Sequence, residues 1–146
     1  MAFDLNRFIN AQNGDYDIAL SEIRSGHKRS HWIWYIFPQV KGLGFSPASG
    51  YYRIDGLEEA KAYMDNEILR KRLVGISEAL LLLESADAGE VMGYPDNLKL
   101  CSSMTLFAEA SPEEEVFQKV LDKYFGGEKD ERTLEILKVT GRNGEY

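Results

Sequence analysis

His27-Lys28-Arg29-Ser30-His31-Trp32-Ile33-Trp34-Tyr35-Ile36-Phe37-Pro38 is the stretch on which the fold turns. Five polar or charged residues run directly into six apolar ones, and a proline stops them. Such a run fits a short buried helix capped by Ser30, or a buried strand, and periodicity cannot separate the two. Helix is favoured because little else in the chain offers a strand partner.

The flanking sequence is helical in pattern. Asp4 or Asn6 caps a first helix toward Gln12, and Asn13-Gly14 reads as a break. Tyr16, Ala19, Leu20 and Ile23 then share one face of a helix over Tyr16–Ser25, with Gly26 in the C-terminal glycine position. Residues Gln39–Gly50 read as a loop. Asp55-Gly56-Leu57-Glu58 resembles a capping box opening a helix to about Asp65. Leu69, Leu73, Ile76, Leu80 and Leu83 step by four and three along a longer helix, Glu67–Ser85, and mark its core face. Asp87 caps a turn to Met92, and a helix covers Asn97–Ala110. Ser111-Pro112-Glu113-Glu114 has every mark of a helix start. The helix it opens buries Val116, Phe117, Val120, Leu121 and Tyr124 and ends at Gly126-Gly127. Asp130 caps a last helix to about Lys138. The expectation is an all-α, compact multi-helix array of six to nine helices with at most a token of strand. Residues 1–139 would form a single domain and 140–146 a frayed polar tail.

Composition limits the function classes. The 146 residues carry 24 acids against 17 bases, a net charge of −7, which argues against a general nucleic-acid binder. Cys101 is the only cysteine, so no internal disulfide forms and a reducing cytoplasm is expected. No apolar run approaches the roughly 18 residues of a membrane span, and Met1–Phe8 lacks a signal-peptide layout. Two histidines and one cysteine write no common zinc pattern. No cofactor motif appears.

Three segments carry candidate chemistry. In the first, Lys28, Arg29 and His31 concentrate positive charge, and free N–H groups of a helix capped at Ser30 would point the same way, an arrangement suited to phosphate or carboxylate. Trp32 and Trp34 would stack on a flat ligand, and His31 is the candidate catalytic proton-transfer group. Alternatively the tryptophans are core and the bases a solvated loop. In the second, Lys41-Gly42-Leu43-Gly44, the glycines permit close approach of a ligand, or simply a turn. In the third, Lys99, Ser102 and Ser103 share a helix face. There they either line a ligand site or bond back to the preceding turn.

These same segments resemble a bacterial family catalogued as domain of unknown function 1810. The likeness runs through Lys28 to Gln39 with Gly42-Leu43-Gly44. It continues at Asp96 to Leu100 with Ser102 to Phe107, and at Phe125 to Asp130 with Arg132-Thr133-Leu134. The resemblance implies a compact helical fold and implies no activity. Family members are sometimes labelled calpastatin, but calpastatin-like inhibitors are disordered and built from repeats, and this chain has neither property.

Together these readings predict a domain that binds a small anionic ligand, such as a nucleotide or phosphate ester, possible enzymatic action included. His31, Arg29 and Lys99 are expected to converge on one pocket. The alternative is a protein-interaction module presenting an exposed aromatic-basic patch.

Overall fold

The computed structural model describes residues 3–44 and 46–145, with side chains to residue 138. Among these residues there are nine helices: α1 (Asn6–Arg24), α2 (Ile33–Ile36), α3 (Pro47–Tyr51), α4 (Leu57–Asp65), α5 (Glu67–Leu81), α6 (Ala88–Met92), α7 (Asp96–Ala110), α8 (Val116–Phe125) and α9 (Glu131–Glu145). Among the described residues the one departure from helix and loop is an isolated parallel bridge between Val40 and Ile54. The all-α expectation therefore holds, and the run after His31 is a short helix.

Helix α7 is the centre of the array. It packs against α2, α4, α6, α8 and α9. Leu100, Met104, Leu106, Phe107 and Ala108 are all buried, so apolar groups leave it on more than one side. Helix α5 is amphipathic as its stripe predicts. Leu69, Leu73, Ile76 and Leu80 are each at most 1 % exposed. Lys123 Nζ and the Tyr124 hydroxyl from α8 donate to the carbonyl of Leu80 at 3.2 and 2.7 Å. They satisfy one of the carbonyls that the end of α5 leaves without a helical partner.

Five expected boundaries move, and the simplest is the end of α5, which stops at Leu81 rather than Ser85, so that Leu83 lies beyond the helix. Helix α1 runs unbroken through Asn13-Gly14. Tertiary bonds override the turn tendency of that pair: Gln12 Nε2 donates to the Tyr35 carbonyl and the Tyr63 hydroxyl, and Arg72 donates to Asn13 Oδ1 at 2.9 Å. Ser111 does not open α8; it closes α7, its N–H donating to the Phe107 carbonyl at 2.9 Å. The next helix waits until Val116, where the buried stripe begins. The start of α4 is set one residue later than the capping-box pattern suggests. Glu59, not Glu58, reaches back to accept from the Asp55 N–H at 2.7 Å, and its other oxygen meets Arg7 Nη2 at 3.1 Å. At the far end the backbone of α9 stays helical to Glu145, beyond the Lys138 that the sequence suggests.

Candidate ligand-binding cleft

The basic segment does not form an anion site, because the protein supplies its own anion. Glu22 of α1 accepts from the Arg29 and Ser30 N–H groups at 2.7 and 2.9 Å. It also accepts from Ser30 Oγ at 2.5 Å and Trp32 Nε1 at 2.9 Å. Burial opposes its ionisation, but these hydrogen bonds outweigh it and hold the carboxyl down at about 2. Ser30 is thus spent on Glu22 rather than on capping α2, whose N-cap is Trp32. Trp32 is 1 % exposed and belongs to the core. Arg29 and His31 are exposed on the surface and outside the cleft described next. The expected convergence of His31, Arg29 and Lys99 does not occur.

Lys28 turns inward instead. Its ammonium meets Asp96 Oδ2 at 2.7 Å, donates to the Ser30 carbonyl and lies 4.8 Å from the centre of the Trp32 ring. Asp96 sits in the first turn of α7 and offers its second oxygen to Lys99 Nζ at 3.4 Å. Lys99 in turn carries its ammonium 4.1 Å from the centre of the Trp34 ring. A line of charge therefore runs from the core at Lys28 through Asp96 to the surface at Lys99.

That surface is concave. A cleft of about 390 Å³ lies between the Gly42–Gly44 loop, the outer face of α7 and the α8–α9 turn. Trp34, Leu43, Leu98 and Phe125 supply apolar wall; Gln39, Lys99, Ser102, Asp130 and Arg132 supply polar groups. The volume falls within the range of small-molecule sites, about 300–1,000 Å³. Asp130 is held by capping α9: its Oδ2 accepts from the Thr133 N–H at 2.9 Å and the Thr133 hydroxyl at 2.6 Å. Arg132 has no carboxylate partner among the described residues and reaches only the Gly42 carbonyl, at 3.5 Å.

Of the other residues singled out from the sequence, Gly44 lines the cleft. A Cβ there would stand 2.9 Å from Ser49 Cβ, so glycine is needed for close approach of the loop to α3. Lys41 and Gly42 line a smaller chamber behind the loop rather than the cleft. Ser102 lines the cleft, although its hydroxyl donates back to the Leu98 carbonyl at 3.2 Å. Ser103 faces the other way: it is wholly buried, and its Oγ has no partner among the described residues. Cys101 also borders the cleft. Burial first, and the Asp130 carboxylate second, push its thiol up to about 11, so it stays protonated and is a poor nucleophile. No group of three or more His, Cys, Asp or Glu residues suited to a metal occurs among the described residues.

Gln39, Asp96, Asp130 and Arg132 complete the site without having been marked for it. All lie in the stretches that carry the family likeness. Nothing local in the sequence distinguishes them from surface polar residues, because their roles depend on contacts across the fold.

An all-helical array with a half-apolar cleft beside α7 is the class of protein that these features define. The chain belongs to the family described as protein of unknown function (DUF1810), whose model matches residues 2–137. It is similar to the conserved hypothetical protein Rv1873 from Mycobacterium tuberculosis, known from a crystal structure. The two share 45% identity and a TM-score of 0.91 over 93% of this chain and 97% of that one. None of the curated proteins matches the chain. No helix among the described residues is long and apolar enough to cross a membrane.

Proposed function

We propose that the cleft beside α7 binds a small anionic ligand, a nucleotide or related phosphate ester. The observation that carries this reading is that Lys28 and Lys99 share one carboxylate, Asp96. Lys28 is the nearer and more buried partner, so Lys99 is left incompletely neutralised at the cleft wall. Arg132, on the same cleft, lacks an acid partner among the described residues. Counting Asp130 against them, the cleft and its support hold three cations and two acids. That excess stands out on a chain of net charge −7.

The neighbouring surface argues for a small ligand over a strand of nucleic acid. Beyond Phe125 and Arg132 lies a wide hollow of about 550 Å³ bordered by Glu128, Glu131 and Glu135, with Lys129 beside them already paired to Glu109 at 2.6 Å. A chain of phosphates continuing in that direction would meet acids. The interaction-module reading loses its main support, since Trp32 is buried and the Trp34 ring is half-buried beneath Lys99. The proposed site makes no use of His31.

Calorimetric titration with nucleoside monophosphates and sugar phosphates tests the proposal. Lys99→Met and Arg132→Met are expected to fold as the parent does and to weaken binding about tenfold or more, the loss of one charge-assisted contact. Arg29→Ala, outside the cleft, should bind like the parent. Equal binding by parent, Lys99→Met and Arg132→Met would sink the reading.

A further inference from the structure

Gln39 is the anomaly of the cleft. Gln39 lines the cleft and also a small chamber of about 10 Å³ behind the glycine loop; Trp34, Leu43 and Gly44 are walls of both. The residue is 8 % exposed, and its Nε2 is sealed from solvent with no hydrogen-bond partner among the described residues. An unpaired buried donor is unfavourable, and each one in a folded protein calls for an explanation. The backbone at Gln39 is not free to shift and relieve it. The Ile54 N–H donates to the Gln39 carbonyl at 2.9 Å, and the Lys41 N–H donates to the Ile54 carbonyl at 2.8 Å. These two bonds make the isolated bridge of the fold. The result is a donor held on a fixed stretch of backbone, beside the cleft, with no acceptor among the described residues.

We infer that Gln39 is the specificity-determining residue of this cleft, and that it donates to an exocyclic carbonyl oxygen on the base of a nucleoside monophosphate. The inference rests on the anion reading above and deepens it. Nε2 is covered where it now stands, so it reaches a ligand only when the side-chain amide turns toward the cleft, where one projecting atom and not a ring meets it. An exocyclic oxygen, as on uracil or guanine, projects from its ring and accepts hydrogen bonds. The exocyclic group of adenine is a donor and leaves the Gln39 N–H unanswered. A ring nitrogen is recessed and cannot reach the amide without the ring. With the oxygen on Gln39, the ring lies along the apolar walls of Leu43 and Leu98, and the phosphate reaches outward to Lys99 and Arg132. The acids at the outer end favour a monophosphate over longer chains.

The test compares uridine, guanosine and adenosine 5′-monophosphates and ribose 5-phosphate by calorimetric titration. Uridine and guanosine monophosphates should bind at least about tenfold tighter than the other two, the scale of one buried hydrogen bond. Gln39→Met, close to the parent in shape but without the donor, should bring all four to a common affinity while leaving ribose 5-phosphate unchanged. In the parent, the Gln39 side-chain amide signal in a ¹H–¹⁵N spectrum should move on adding uridine monophosphate and stay put with ribose 5-phosphate. This measurement needs no variant. Equal affinity for the uridine and adenosine ligands, a preference that survives Gln39→Met, or a static amide signal would each overturn the role of Gln39. In those cases the anion reading stands if binding still depends on Lys99. If none of the four ligands binds, both fall.

Discussion

Lys28 meets Asp96 at 2.7 Å, and the lysine side chain is only 6 % exposed. A cation so enclosed relies on its counter-charge, since removing one partner of a buried pair leaves the other uncompensated. Asp96→Asn is therefore expected to cost about 3–5 kcal/mol in denaturant unfolding. Adding Lys28→Met should recover a large part of that loss, because the orphaned charge goes with it. A double variant no more stable than Asp96→Asn would show that the pair is not what holds this corner.

The carboxylate of Glu22 makes stability depend on acid. Its carboxyl is held at about 2 in the folded chain against an ordinary 4.5. A carboxyl with a depressed folded value stabilises fully above its unfolded value, and the contribution fades as pH falls toward the folded one. The window is thus from about pH 4.5 down to about pH 2. Glu22→Ala should cost about 1–3 kcal/mol at neutral pH by leaving donors unpaired. Its stability should also fall less steeply than the parent's through that window. Parallel pH profiles for the two proteins would refute the assignment.

Leu80 offers a test of the core. It is fully buried on the central stripe of α5. Leu80→Ala should lower stability by about 2–5 kcal/mol, the transfer loss plus an unfilled cavity. The Tyr124 and Lys123 bonds to its carbonyl survive the change, so the effect reads packing alone. A melting temperature equal to the parent's would contradict this packing.

The parts of the fold written in short-range pattern were legible. The stripe from Leu69 to Leu80 gave a helix and its buried face, and Asp87 and Asp130 cap α6 and α9 as their positions suggest. What depends on distant partners was not. Asn13-Gly14 reads as a turn until Arg72 and Tyr63 are brought to that segment, and the Ser111 signature reads as a beginning where the packing makes it an end. The cleft divides in the same way. Trp34, Lys99 and Ser102 stand out as aromatic or polar residues in unusual company and Gly44 as a glycine permitting close approach, and these four do come together. Arg29, Ser30, His31 and Trp32 looked equally suitable, but a carboxylate from α1, remote from any local pattern, takes the anion's place. Gln39 and Arg132 had no signal of their own, because burial without a partner and a cation without an acid become visible only in three dimensions.

The bridge between Val40 and Ile54 does more than orient one glutamine. By joining the two ends of the segment that holds the glycine loop and α3, it makes that segment an Ω-type loop closed at its neck. Near the neck the segment is tied to the array, Tyr52 by its ring contacts with Phe8 and Tyr35, and the Tyr51 and Arg53 carbonyls by Arg7, while α3 itself buries none of its side chains. The part between Gly42 and Gly50 is therefore a cassette. Its side chains can be exchanged during divergence, or by design, to reshape one wall of the cleft while Tyr52, the neck and the helical array stay as they are.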